Sequence, residues 1–129
     1  MPHTLSKNPI HLGLQATAVS EPEFTGMDWY AGYGARHAED GKEGRLVSMH
    51  TFRTPWDSWE MHPEGSEVVI CTAGVMTLIQ ETDGNEERVV LHPGEYAINA
   101  PGVWHTADVE GPATAIFITA GAGTQVRGR

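Results

Sequence analysis

Only one cysteine, Cys71, occurs in 129 residues. No internal disulfide can form, which excludes a disulfide-framed secreted scaffold and fits a reducing compartment. Positive charge is scarce as well, with 8 Lys plus Arg against 17 Asp plus Glu and a net charge of −9 at pH 7. Long-range electrostatics of that sign repel nucleic acid and anionic membrane, and no Lys/Arg cluster offers a local exception. Long apolar runs are missing too: Val68 to Cys71 and Ala113 to Ile118 are far too short to span a bilayer. The start, Met1-Pro2-His3-Thr4-Leu5-Ser6-Lys7, lacks the charged-then-apolar layout of a signal peptide. The expectation is a cytoplasmic protein with neither nucleic acid nor membrane as partner.

What is present is ordinary globular material. Hydrophobic residues make up 40% and charged residues 19%, enough to build one core without staples and too much for global disorder. Residues 1–45 read as an arm. Asn8-Pro9, Glu21-Pro22, Gly26, Gly32, Gly34, Gly41 and Gly44 break it every few residues, and no helical period runs through it. One or two short strands are expected there. Trp29, Tyr30 and Tyr33 need something to cover, so the arm should pack on the barrel or on a partner subunit.

Residues 46–129 change character. Short β-runs alternate with turns: Leu46–Thr54, Ser58–His62, Glu67–Thr72, Val75–Glu81, Glu87–Leu91, Glu95–Asn99, Trp104–Val109 and Thr114–Thr119. Asp83-Gly84 is a hairpin signal, because both turn positions of the tight hairpin turn need positive φ. Strands at this spacing, with no room for a long helix, predict an all-β sandwich or barrel.

Chemistry concentrates in Glu60, His62, Glu67 and His105. Residues two apart on a strand share a face, so Glu60 and His62 point one way while Trp59 and Met61 point the other. Glu67 opens the next strand after the Pro63-Glu64-Gly65 turn, and His105 follows a Pro-Gly turn. Imidazoles and carboxylates on neighbouring strands could close a site for divalent Fe, Mn, Ni or Zn inside a barrel. Taken singly, each is a structural residue: His62 could cap a strand and Glu67 could pair with Arg53. His50 is the best candidate for supporting the site from behind.

The spacing resembles the cupin superfamily in its small single-domain form. The family's first motif is Gly, five residues, His-x-His, three or four residues, Glu, six residues, Gly. This chain has Glu60-Met61-His62, four residues, Glu67, then six residues to Gly74. The second motif is Gly, five residues, Pro-x-Gly, two residues, His, three residues, Asn. Here Gly94 is followed by Ala100-Pro101-Gly102 and His105. The departures are Thr54 for the opening Gly, Glu60 for the first His, Ala100 for the first Pro and Val109 for the terminal Asn.

The resemblance implies a double-stranded β-helix, the jelly-roll barrel, and carries over His62, Glu67 and His105 as metal ligands. Glu60 is either a fourth ligand or a free base, and Glu60 and Glu67 are the candidates for moving a proton. Strand parity adds Val69, Cys71, Val103, Ala107 and Phe117 as pocket walls. The implied activity is that of a metal-dependent dioxygenase, or an isomerase or lyase, acting on a small and largely uncharged organic molecule. The competing reading is a cupin that holds a small molecule without turning it over. A homodimer is expected, because the arm and the outward Trp59 and Met61 need cover.

Overall fold

The computed structural model describes residues 2–129. Two antiparallel sheets face each other. One has the order β2-β1-β3-β10-β5-β8 and the other β11-β4-β9-β6-β7. The strands are β1 Ile10–Leu12, β2 Ala18–Ser20, β3 Arg45–Phe52, β4 Ser58–Met61, β5 Glu67–Ala73 and β6 Met76–Thr82. They continue with β7 Asn85–Leu91, β8 Tyr96–Asn99, β9 Trp104–Asp108, β10 Ala113–Thr119 and β11 Gln125–Gly128. This is the jelly-roll barrel. Among the described residues, no helix is long and apolar enough to cross a membrane.

Period-two patterning sets which faces meet. On β5, Glu67, Val69 and Cys71 are buried, and on β10 Ala113, Ala115 and Phe117 alternate in the same way. These side chains join Met76, Leu78, Leu91, Ala107 and Val109 in one core between the sheets. Removing that apolar surface from water supplies the main driving force for closing the barrel. The β6–β7 hairpin turns at Asp83 and Gly84 with φ of 52° and 78°, as the Asp-Gly signal predicts.

The arm departs from its sequence reading in one respect. Its two short strands are there, and β1 pairs directly with β3, so the arm extends the first sheet. Between it and β3, however, lies a helix, α1 Trp29–Arg36. Two glycines in eight residues hide its period from sequence inspection. Tertiary contacts hold it instead. Trp29 is buried, its ring stacks on Tyr33, and its indole N–H donates to the Pro22 carbonyl at 3.0 Å.

A second difference concerns Trp59. It faces out of the barrel, as parity requires, but it finds cover within its own chain. The Arg127 guanidinium on β11 lies 5.2 Å from the Trp59 ring and 4.5 Å from the Trp104 ring. Trp59 is therefore 8% exposed and gives no reason for a partner subunit.

Candidate metal centre

The four chemical residues converge at one end of the barrel. Glu60 on β4 sits directly opposite His105 on β9, and His62 follows β4 where the chain turns toward β5. One ligand atom each from Glu60, His62 and His105 lie within 4.8 Å of one another. Glu67 completes the group from the facing sheet, with Oε1 3.1 Å from His105 Nε2 and Oε2 3.2 Å from His62 Nε2.

Hydrogen bonds around the group fix its protons. Thr124 Oγ1 donates to the Gly121 carbonyl at 2.8 Å, so its lone pairs accept from His62 Nδ1–H, also at 2.8 Å. His105 Nδ1 is 3.2 Å from the Val103 carbonyl, which can only accept. In its neutral form each imidazole therefore carries its proton on Nδ1 and turns the Nε2 lone pair into the site. Those two Nε2 atoms are buried and have no hydrogen-bond partner.

Lone pairs at 3.1–3.2 Å from a carboxylate repel it unless a cation stands among them. Either protons on the imidazoles or a metal ion would serve. The donor chemistry fits a metal: two ligands each about 2.1 Å from one ion and at a right angle lie about 3 Å apart. Two imidazoles with two carboxylates suit Fe(II), Mn, Ni or Zn.

Glu67 is held from behind. Asn99 Nδ2 donates to Oε1 at 3.1 Å and Thr119 Oγ1 to Oε2 at 2.7 Å, while Gln80 Nε2 donates to Asn99 Oδ1 at 2.8 Å. Burial alone would raise the Glu67 carboxyl, but with protons on the His105 and His62 rings their hydrogen bonds and charge outweigh it and hold the group well below the usual carboxylate range. For His105, burial pulls the imidazole down and contact with Glu67 more than offsets it, so the net direction is upward. Glu60 moves the other way from Glu67. Burial first, and then the charge of Glu67, raise its carboxyl. Tyr30 on α1 feels the charge of the same two carboxylates. Burial, with the charges of Glu60 and Glu67, pushes its hydroxyl up to about 12.

The remaining expected residues fall into two groups. Val69, Cys71 and Ala107 face inward but are completely buried in the core, where the Cys71 thiol donates to the Ala73 and Gly74 carbonyls. They pack the barrel and wall no open space. Phe117 belongs to an aromatic cluster beside the site, and Val103 is half-buried just before β9. Sequence reasoning missed Asn99, Thr119 and Thr124. Asn99 was within reach, because it stands opposite Glu67 in the β5–β8 register and shares its face. Thr124 lies in an irregular stretch, where no periodicity points to it.

With the geometry established, comparison with known proteins adds the family. The family model described as "Cupin domain" matches residues 53–121. The chain belongs to the cupin family. No curated protein matches this sequence. Among solved structures, oxalate oxidase superposes with a TM-score of 0.58 at 15% identity, over 70% of this chain and 50% of that one. Peruvianin-I, a cysteine peptidase from Thevetia peruviana latex, gives 0.54 at 22% identity over 65% and 56%. A cupin-2 domain protein from Shewanella frigidimarina gives 0.51 at 19% over 58% and 69%. This cupin spans only 56% of the Peruvianin-I chain and half of the oxalate oxidase chain, and identities this low speak for the fold alone.

Proposed function

We propose that this cupin is a metal-dependent enzyme acting on a small, largely uncharged organic molecule, with Glu60, His62, Glu67 and His105 as the residues that hold the ion. The observation that carries this reading is the pair of buried Nε2 lone pairs, on His62 and His105, aimed at the Glu67 carboxylate with no partner of their own. A divalent ion at this position would supply Lewis-acid or redox chemistry. The chain contributes the rest. Asn99 and Thr119 lock Glu67, and Thr124 and the Val103 carbonyl lock the imidazoles, so the donor set is organised before anything binds. Should Glu60 stay off the ion, its carboxyl, raised by burial and by Glu67, makes it the group best placed to take or return a proton.

Metal content of the purified protein tests the reading. One equivalent of divalent metal per chain is expected, with loss of stoichiometric binding in both His62→Ala and His105→Ala. Iron or manganese would direct the search toward oxygen-dependent reactions. Full occupancy in either variant would show that the ligands are misassigned.

A further inference from the structure

Beside the ligand cluster, the barrel interior is lined by rings. His50 and Phe52 on β3 share a face with Ala115 and Phe117 on β10, as the register dictates. Trp56, in the connection to β4, lies 5.3 Å from Phe52, 6.1 Å from Phe117 and 6.3 Å from the ligand His105, centroid to centroid. Phe24 reaches in from the arm to 5.1 Å from His50. The rings thus form a continuous wall running from the arm to the metal donors.

Two polar atoms in this wall have no partner: Trp56 Nε1 and His50 Nε2, both shielded from solvent. Each unmet buried group costs about 1–3 kcal/mol, so two in one cluster call for an explanation. Elsewhere in the interior polar groups are met, as the Gln80–Asn99–Glu67 chain shows. The only other buried side-chain atoms without a partner, among the described residues, are the two imidazole nitrogens of the metal centre. All four orphaned atoms therefore belong to one connected region. Of the cations nearest the wall, Arg129 bonds the Trp56 carbonyl oxygen and is paired with Asp108, and Arg53, between Phe52 and Trp56, is exposed to solvent. Glu60 and Glu67 would repel an anion at its inner end.

We propose that this wall is the substrate-binding surface and that it takes a planar, uncharged aromatic molecule bearing oxygen. A ligand oxygen accepts from Trp56 Nε1–H, and a second polar group of the ligand meets His50 Nε2. Indole nitrogen only donates, which requires an acceptor at that point. Rings rather than aliphatic side chains favour a flat π-face. The substrate class rests on the metal-site reading only in placing the reacting end beside His105.

Phenol is the probe, with cyclohexanol and benzoate as controls, read by the indole N–H signals of nitrogen-15-labelled protein. The signal lost in Trp56→Phe identifies Trp56 among the four tryptophans. In the wild type, phenol should shift that signal, and cyclohexanol and benzoate should bind at least about tenfold more weakly, the equivalent of one hydrogen bond or more. Trp56→Phe should weaken phenol binding by a similar factor, and His50→Leu should do the same to a dihydroxybenzene, which carries the second polar group that His50 Nε2 meets. A Trp56 signal unmoved at the solubility limit of phenol would mean that water alone meets these atoms, and would overturn the proposal. Equal binding of cyclohexanol, or unchanged affinity in both variants, would overturn it too. Titrations on metal-loaded and chelator-stripped protein separate the two readings. Stoichiometric metal with a silent Trp56 sinks the substrate class alone, and a responsive Trp56 in protein that never takes up metal sinks the metal centre alone.

Discussion

Glu60 and His105 are directly opposed across the β4–β9 pair, so a carboxylate stands where the family's first motif has an imidazole. Their ligand atoms and that of His62 lie within 4.8 Å of one another, so position allows Glu60 to serve as a fourth ligand. Two carboxylates neutralise a divalent ion where one would leave it positive. Glu60→His should keep stoichiometric metal and shift preference toward ions that favour imidazole. Glu60→Ala should weaken binding by more than the about 10–100-fold that loss of a supporting hydrogen bond costs. Calorimetric titration of metal into stripped protein measures both. Wild-type affinity in Glu60→Ala would make Glu60 a base and remove it from the ligands.

Thr124 acts through His62. Its hydroxyl gives its one proton to the Gly121 carbonyl, which leaves it an acceptor toward Nδ1 and keeps Nε2 free of a proton. Thr124→Val removes that acceptor at nearly constant volume. Metal affinity is expected to fall about 10–100-fold while Thr124→Ser restores it. Equal affinities across wild type, Val and Ser, at unchanged thermal stability, would show that Thr124 does not set the tautomer.

The contrast between motif and support explains how much was legible in the chain. His62, Glu67 and His105 were readable because their spacing is tied to strands and turns whose period is fixed. The facing of Glu60 followed from the same parity. Thr119 and Thr124 were not readable, since each meets its partner across more than fifty residues of sequence and through side-chain reach rather than period. Helix α1 was hidden for a related reason: Trp29 and Tyr33 are held by contacts with β1 and the 21–24 segment, while the intrinsic propensity of a Gly-containing octapeptide is low. The expected walls Val69, Cys71 and Ala107 had the right parity. Depth along the strand, which parity does not give, put them in the core.

Acid sensitivity should reside partly in the arm. Glu21 is buried and accepts from Arg36 Nη2 at 2.8 Å and from His37 Nε2 at 2.9 Å. Burial would raise its carboxyl, but Arg36 and His37 prevail and the net direction is downward. A carboxyl lowered on folding contributes stability that is complete above its ordinary value of 4.5 and is lost as pH falls through the folded value. Glu21→Gln should therefore cost about 1–3 kcal/mol at pH 7, from the lost charged hydrogen bonds, and much less at pH 3. Urea unfolding of both proteins at the two pH values measures this. A penalty that does not shrink in acid would remove Glu21 from the acid response.

Gly74 and Gly84 offer a controlled pair at the two ends of β6. Both have positive φ, 69° and 78°. An alanine at either position pays about 1–2 kcal/mol for the left-handed backbone. Around Gly84 nothing lies within reach of an added Cβ, whereas at Gly74 the Cβ would run into the Pro112 carbonyl oxygen and the Ala113 backbone. That carbonyl belongs to the backbone leading into β10, so it cannot swing aside like the end of a side chain. Overpacking of this kind adds about 1–3 kcal/mol. Gly74→Ala should therefore be less stable than Gly84→Ala by that second amount, read from denaturant midpoints at a common slope. Because Gly74 joins β5 to β6 and β5 carries Glu67, relief of the collision should also disturb the metal centre. Metal affinity is expected to drop in Gly74→Ala and to hold in Gly84→Ala. Equal stability of the two variants would show that the β5–β6 turn yields freely and that the close approach to Pro112 does not anchor the strand that holds Glu67.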